Sequence, residues 1–294
     1  STTMLLVKDK SNSTLHKIVI PENCSAKAIS NILVINGIID NSIAFELTAK
    51  MLGREKNLQS GNYSLSPDMP IISILNELKN GKNDAGQIKL VIPEGSSIYR
   101  IARIIEASGI KLQGNFDDLE QNGITDELRI RYPFLAEVPV RSLEGYLFPD
   151  TYIVSGKISL DSLCNIMLNR FTKVVLPLWE SSGVKRYSFH QIITMASIVE
   201  KEAENDAERP IIASVYFNRL ENGIPLCADP TVKYALRNPG KIVTYDNLKV
   251  NSPYNTYMHK GLPPGPICNP GIKSIIAAIY PSKTDYLYFV SNGD

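Results

Sequence analysis

The chain has 294 residues, of which 44% are hydrophobic and 21% charged, which is ordinary for a soluble globular protein of about two domains. Its 31 Lys and Arg against 30 Asp and Glu give a net charge of +1, and no basic stripe points to nucleic acid. No apolar run approaches the ~20 residues that would span a bilayer, and no signal-peptide pattern opens the chain.

The first predicted elements belong to a unit that occurs twice. Residues 20–25 (IPENCS) align with residues 92–97 (IPEGSS), and the register of isoleucines and glycines holds beyond both. Each copy predicts a short strand, a turn with a serine cap and an amphipathic helix ended by glycine. After the first copy we expect a second helix around residues 43–52 and a strand at residues 61–65. The predicted order of this part is strand, helix, helix, strand.

A long helix is predicted to start near Ser188, because Ser188 and Gln191 have capping-box spacing just before an apolar run. The run has helical periodicity and ends in Glu200 and Glu202. A carboxylate at the rim of an apolar helix face can have a raised pKa, because apolar surroundings disfavour its charged form. Such a group can act as a general acid. The two glutamates fall on opposite margins of the apolar stripe, so we expect one to act alone. The alternative is that both are solvated charges at a helix end.

Six short blocks with a recognisable order follow one another downstream. They are residues 142–152 (SLEGYLFPDTY), 195–202 (MASIVEKE), 214–220 (SVYFNRL), 228–232 (ADPTV), 252–257 (SPYNTY) and 261–267 (GLPPGPI). On these blocks the chain resembles the YceG-like (MltG) family of endolytic murein transglycosylases. The resemblance covers nearly the whole chain and is looser toward the N-terminus.

The resemblance implies a catalytic residue and a reaction. In the family the catalytic residue is the second glutamate of a Glu-Lys-Glu triplet, which is Glu202 here, whereas periodicity alone does not choose between Glu200 and Glu202. The family cleaves the β-1,4 bond between N-acetylmuramic acid and N-acetylglucosamine without water and leaves a 1,6-anhydromuramic end. One carboxyl group can act as the acid and then as the base, so no cofactor and no metal are expected.

Substrate-binding side chains are expected in the remaining blocks. Tyrosines with apolar faces and polar tips, amides that both donate and accept, and a hydroxyl suit a neutral polyhydroxylated ligand. These candidates are Tyr254, Tyr257, Asn218, Asn255 and Thr256. For Asn218, near the end of a predicted helix, a capping role is the alternative.

Two carboxylates complete the candidate substrate-binding set. Glu144 precedes Gly145 in a strand-like aromatic segment, where a buried structural carboxylate and a second active-site residue are both open. Asp229 precedes Pro230, where turn formation is the alternative. Either carboxylate would serve as the second acidic group if the protein were instead a hydrolytic muramidase.

The expected fold class is α+β, with a LysM-like domain over residues 17–84 and a larger, mixed α/β YceG-like catalytic domain over residues 85–294. Strand, helix, helix, strand is the LysM order, and the family carries a LysM-like domain at this place. Duplication of a βα unit is the alternative, and glycan binding by this domain stays open.

The resemblance also implies where the protein works. Family members have one N-terminal transmembrane anchor, so we expect the periplasmic part of a single-pass protein of the bacterial inner membrane, with the anchor absent from this chain. Peptidoglycan strands are the expected substrate, and peptidoglycan synthases are expected partners.

The chain departs from the family pattern in two places. Cys227 stands where members commonly carry a glutamine, and the chain ends before a histidine-containing segment that usually follows. A non-catalytic scaffold that binds peptidoglycan therefore stays open as a third interpretation. The four cysteines and three histidines have no zinc-site spacing, and a disulfide between Cys227 and Cys268, the nearest pair in sequence, is left open.

Overall fold

The computed structural model describes residues 16–21, 24–80, 87–116, 118–238, 240 and 242–290. The chain divides into two compact units, residues 1–88 and 89–294. The predicted boundary between residues 84 and 85 lies outside the described ranges. Among the described residues, no helix has both the length and the apolar character needed to cross a bilayer.

The first unit contains a two-stranded sheet and three helices. In chain order its elements are β1 (His16–Ile20), α1 (Ala26–Ile35), α2 (Ser42–Met51), β2 (Gly61–Leu65) and α3 (Ile71–Asn80). Strands β1 and β2 are antiparallel, with His16 opposite Leu65, and every second side chain is buried on both. The predicted order of strand, helix, helix, strand is therefore present, and α3 follows it. Residues 22 and 23 of the repeat lie outside the described part.

Local sequence explains where the helices of this unit begin. The hydroxyl of Ser25 accepts from the amide of Ala28 at the start of α1, and Asn41 caps α2 in the same way through Ala44. The apolar faces of the helices pack against the sheet in a core that includes Leu33, Phe45, Ala49, Ile74 and Leu75. This core belongs to the first unit alone.

The second unit is mainly helical. Its elements are β3 (Gln87–Val91), α4 (Ile98–Ala107), β4 (Lys111–Gln113), α5 (Asp118–Asn122), α6 (Asp126–Arg131), β5 (Thr151–Ser155), β6 (Lys157–Ser159), α7 (Leu160–Ser182), α8 (Phe189–Glu202), α9 (Arg209–Glu221), α10 (Asp229–Ala235) and α11 (Ile272–Ile279). Strand β3 pairs with β5, and β4 runs parallel to β6. The predicted combination of helices and strands is confirmed, while the likeness of the first unit to LysM stays a prediction.

Helix α8 forms the centre of the second unit. The predicted capping box is present, since Ser188 Oγ accepts from the amide of Gln191 at 3.2 Å and Gln191 Oε1 accepts from the amide of Ser188 at 2.8 Å. Every residue of α8 from Phe189 to Val199 except the exposed Gln191 is buried, rather than one stripe of them, because α9, α10 and α11 pack around the helix. Glu202 is the last residue of α8, so it lies at the edge of this core.

Candidate active site

Glu202 lies half-buried where α8 ends, and the hydroxyl of Tyr216 on α9 donates to its Oε1 at 2.7 Å. Burial raises the pKa of Glu202 above the ordinary glutamate value, and the bond from Tyr216 opposes that shift in part. The carboxylate of Asp229 raises the pKa further, while Lys233 and Arg219 lower it. Because its pKa is raised, the carboxyl of Glu202 keeps its proton to higher pH than an ordinary glutamate, as a general acid requires.

Asp229 and Tyr257 form a second hydrogen-bonded pair beside Glu202. Asp229 is the first residue of α10, and its Oδ1 accepts from the Tyr257 hydroxyl at 2.5 Å. Both side chains are half-buried, and burial, the bond to Asp229 and the nearby charge of Glu202 raise the pKa of Tyr257. The structure therefore brings together three of the predicted site residues, Glu202, Asp229 and Tyr257.

Tyr216 is a site residue that the sequence analysis missed. It lies in the matched block of residues 214–220, but only Asn218 of that block was singled out as a candidate. The side chain of Tyr216 is 2% exposed, so its hydroxyl reaches the site from within the core of the second unit. The only sequence signal for it was a tyrosine on the buried face of a predicted helix, which is also a common core position.

Glu200, one residue before Lys201 and two before Glu202, has a different environment. Its Oε2 accepts from the hydroxyl of Ser274 at 2.6 Å and from the amide of Gly271 at 3.1 Å, and Arg209 lies 3.4 Å away. These partners surround the N-terminus of α11, where backbone amides and the helix dipole favour a carboxylate. Glu200 therefore ties α8 to α11.

Asn218 on α9 holds an extended segment near the C-terminal end of the described chain. Its Nδ2 donates to the carbonyl oxygens of Thr284 and Tyr286, both at 2.9 Å, and the guanidinium of Arg219 donates to the carbonyl of Leu287 at 2.6 Å. The amide nitrogen of Asn218 is thus occupied by backbone. Its predicted contact with substrate stays a prediction.

Asn255 and Thr256 are buried beneath the site. Asn255 is 0% exposed, and its Nδ2 donates to the carbonyls of Leu248 and Val250 at 2.8 and 2.9 Å. Thr256 is 1% exposed, and its hydroxyl accepts from the amide of Ala228, directly before Asp229. In this arrangement both side chains fix the loops that carry Asp229 and Tyr257.

Glu144 is 1% exposed and lies at the N-terminus of α4, where the amide of Ile98 donates to both of its carboxylate oxygens at 3.1 Å. Asn269 donates to Oε1 at 3.0 Å, and burial raises the pKa of Glu144 to about 8. In the part of the chain that the structure describes, Glu144 and Glu202 share no hydrogen-bond partner. Glu144 is connected instead to Tyr234, whose ring packs 4.9 Å from that of the predicted site residue Tyr254.

The loop of residues 261–267 is fixed against α8 by a buried histidine. Tyr146 Oη lies 2.7 Å from His190 Nδ1, and His190 Nε2 lies 2.9 Å from the carbonyl oxygen of Pro264. A carbonyl can only accept, so Nε2 carries a proton, and burial lowers the pKa of the ring. In this neutral tautomer Nδ1 accepts a hydrogen bond from the Tyr146 hydroxyl, so both ring nitrogens have a partner.

The four cysteines are free thiols. Cys227, two residues before Asp229, has a left-handed backbone conformation with φ 51°. Within the described ranges, no group of three or more His, Cys, Asp or Glu side chains is arranged to hold a metal ion.

Comparison with known proteins agrees with the mixed α/β fold and gives the family of the chain. Residues 18–294 match the YceG-like family, and the chain belongs to that family. An endolytic murein transglycosylase of Bacillus subtilis strain 168 is 35% identical over 296 residues, which is 97% of this chain and 82% of that protein. The resemblance stated from the sequence is confirmed.

Two further similarities point the same way. An endolytic murein transglycosylase of Streptococcus pneumoniae strain D39 is 30% identical over 98% of this chain, and the chain spans 56% of the length of that relative. The crystal structure of a putative YceG-like protein from Listeria monocytogenes is 37% identical, with a TM-score of 0.63 over 96% of this chain and 95% of the other.

Proposed function

We propose that this protein is an endolytic murein transglycosylase that cuts peptidoglycan glycan strands between N-acetylmuramic acid and N-acetylglucosamine and leaves a 1,6-anhydromuramic end. The observation that carries the proposal is the half-buried Glu202, whose pKa is raised and whose carboxyl is held by Tyr216. Relatives that cover nearly the whole chain are named for this activity. Cleavage within nascent strands would terminate their elongation.

A single carboxyl group can carry this reaction through both proton transfers. Protonated Glu202 donates to the glycosidic oxygen as the bond to the muramic C1 breaks. The resulting carboxylate takes the proton of the muramic 6-hydroxyl as that oxygen closes on C1, so no water is consumed. Tyr216 orients the carboxyl and supports its charged form between the two steps.

The other candidate residues then divide into two groups. Asp229, Tyr254 and Tyr257 are half-buried, so part of each side chain can reach a sugar, and we assign the contacts with substrate to them. Asn218, Asn255 and Thr256 bind backbone and would act by positioning the loops around the site. Glu144 would act in the same indirect way from beneath α4.

A hydrolytic muramidase is the second candidate, and one observation favours it. Asp229 is close enough to Glu202 to raise its pKa, which gives the site a second carboxylate. Such a group could activate a water or stabilise a glycosyl intermediate, and the product would then have a hydrated reducing end. Glu144 does not fit this role, because it is 1% exposed and bonded to the start of α4.

Mass spectrometry of uncrosslinked peptidoglycan strands tests the proposal. With the unmodified protein we expect fragments with anhydro ends, and we expect Glu202→Gln to abolish them because glutamine has no transferable carboxyl proton. Asp229→Asn separates the two candidates, since it should leave anhydro ends in place. Hydrated ends that vanish with Asp229→Asn would establish the muramidase instead. Strands that are bound but never cut would point to a non-catalytic scaffold.

The family resemblance extends the proposal to the setting of the reaction. The catalytic unit would work on the periplasmic side of the inner membrane, held there by a membrane anchor, beside peptidoglycan synthases. The first unit would be a LysM-like module, which its order of β1, α1, α2 and β2 supports. Glycan retention by that unit would be measured in pull-down with insoluble peptidoglycan.

A further inference from the structure

A cleft of about 490 Å³ lies in the second unit next to the end of α8. Its walls include Tyr99, Arg100 and Arg103 of α4, and Pro230, Lys233 and Tyr234 of α10. Lys201, the residue before Glu202, and Ile267 of the loop that rests on α8 complete one side. A volume of this size accommodates a small ligand or a few amino-acid residues.

The cleft carries an excess of positive charge that the chain as a whole lacks. Its lining holds five cations, Arg100, Arg103, Lys201, Lys233 and Arg237, and one carboxylate, Glu120. Arg237 pairs with Glu120 at 2.5 Å. The remaining four cations form no ion pair with a carboxylate anywhere in the described ranges. The net charge of the whole chain is only +1, so this concentration is local.

The cations extend from the catalytic carboxyl outward. Lys233 is close enough to Glu202 to lower its pKa, and Lys201 is its neighbour in sequence. Arg100 and Arg103 are exposed on α4 and are not among the cations that lower the pKa of Glu202, and the Arg103 guanidinium lies 4.8 Å from the centre of the Tyr99 ring. A ligand in the cleft would therefore have one end beside the cleavage site and its anionic part over α4.

The chemistry of the proposed substrate supplies such a ligand. The ring that is attacked at C1 is muramic acid, which carries its stem peptide on the oxygen of C3 of the same ring. The sugars are neutral, whereas the stem peptide carries carboxylates, including its C-terminal one. When that bond is cut, the ring that carries this anionic peptide lies beside Glu202.

We propose that the cleft lined by Arg100, Arg103, Lys201 and Lys233 binds the carboxylates of the stem peptide attached to the muramic residue that is cleaved. This inference rests on the proposed function, and it makes the enzyme selective for strands that still carry their stems. Guanidinium groups suit this role, because their planar fork binds a carboxylate through two parallel hydrogen bonds. The rings of Tyr99 and Tyr234 give the peptide apolar surface to pack on.

The test compares two substrates and three proteins. The substrates are glycan strands released from their lipid carrier, either with stem peptides or after an amidase has removed them. The proteins are the unmodified chain, the double variant Arg100→Gln/Arg103→Gln, and the control Lys173→Gln/Lys185→Gln. The control removes the same charge from exposed positions outside the cleft. Neither pair belongs to the catalytic group around Glu202.

For stem-bearing strands we expect the cleft variant to raise KM by roughly five- to tenfold with kcat nearly unchanged, which is the effect of losing two partly exposed ion pairs. On strands without stems the variant and the unmodified protein should be equal, and the control should match the unmodified protein on both. An equal loss on both substrates, or no loss on either, overturns the proposal. Because the strands carry no lipid pyrophosphate, a stem-dependent loss cannot arise from phosphate binding.

Binding measurements separate this proposal from the proposed function. In the Glu202→Gln background, calorimetry should show stem-bearing fragments binding more tightly than stem-free fragments, and Arg100→Gln/Arg103→Gln should remove the difference. That result would support the cleft even if the protein cut no strand at all. Equal binding of both fragments would overturn the cleft, while cleavage to anhydro ends would still support the proposed function.

Discussion

Glu200 and Glu202 are one residue apart at the end of α8, yet they face different partners. Glu200 is bound by a backbone amide and a hydroxyl at the start of α11 and by the guanidinium of Arg209 at the start of α9. Glu202 accepts a hydrogen bond from the hydroxyl of Tyr216 and is only half-buried. A helical turn of about 200° between them produces this difference, since 100° separates successive residues. The first is suited to holding the fold, and the second to exchanging a proton.

Glu200→Gln should lower stability while leaving catalysis in the folded protein largely intact. Glutamine removes the charge facing Arg209, so urea unfolding should show a loss of about 1–3 kcal/mol. The kcat measured well below the unfolding temperature should stay within a few-fold of the unmodified value. A variant of normal stability that had lost all cleavage would show that the helix faces are assigned wrongly.

Tyr216→Phe should move the pH dependence of the reaction upward. The Tyr216 hydroxyl lowers the pKa of Glu202, so removing it raises that pKa beyond the value set by burial. The acid form is the active form in the first step, and activity is lost as pH rises through its pKa. The alkaline limb of kcat/KM should therefore shift to higher pH, and the plateau should fall by roughly tenfold through the lost hydrogen bond to a charged group. A limb that stays in place, or shifts to lower pH, would contradict the assignment.

Next to the site, a loop rather than a helix or strand packs against α8. The loop of residues 261–267 is bound to α8 through His190 and packs against Gly145 of the segment that leads to β5. Gly145 has φ +91°, and a Cβ there would overlap the ring of Pro266. Glycine is thus required here for two reasons. Its backbone adopts a positive φ without strain, and it has no Cβ to collide with Pro266.

Gly145→Ala should destabilise the second unit by about 3 kcal/mol or more, since left-handed strain adds to overpacking. Gly261→Ala is the matched control: its φ is +92°, but nothing lies within 4 Å of a Cβ there. The control should lose only the conformational part, about 1–2 kcal/mol. Chemical denaturation of both variants gives the comparison. Equal losses would mean that the contact with Pro266 relaxes without cost.

The chain as a whole consists of two units with separate interiors. The first unit buries its own apolar side chains, and its strands pair only with each other in the described structure. A self-contained core is the physical requirement for a unit that folds alone.

A fragment of residues 1–88 should therefore unfold cooperatively, with a free energy of about 4 kcal/mol or more at the usual stability per residue. Circular dichroism during urea unfolding measures it. Leu33→Ala should cost about 2–5 kcal/mol because Leu33 is 0% exposed, and Leu47→Ala should cost well under half as much because Leu47 is 56% exposed. Gradual, non-cooperative melting of the fragment would show that it needs the rest of the chain.

The sequence predicted those structural features that depend on interactions between a few neighbouring residues. The capping box of Ser188 and Gln191, the serine caps at Ser25 and Ser97, and the strand at residues 61–65 are present because each depends on local hydrogen bonds or side-chain alternation. The end of α8 at Glu202 belongs to this class as well. Family membership also followed, because six blocks in fixed order are written in the chain itself.

The hydrogen-bond partners of the two glutamates could be read only from the tertiary structure, because they are distant in the sequence. The partner of Glu202, Tyr216, lies 14 positions away, and the partners of Glu200 lie 9, 71 and 74 positions away. Periodicity fixes which face of a helix a residue occupies, but not which element packs against that face. The burial of Glu144 and the assembly of a basic cleft from α4 and α10 have the same origin. Sequence therefore determined the locally coded elements and the family, and packing determined that Glu200 is held at the start of α11 while Glu202 is bonded to Tyr216.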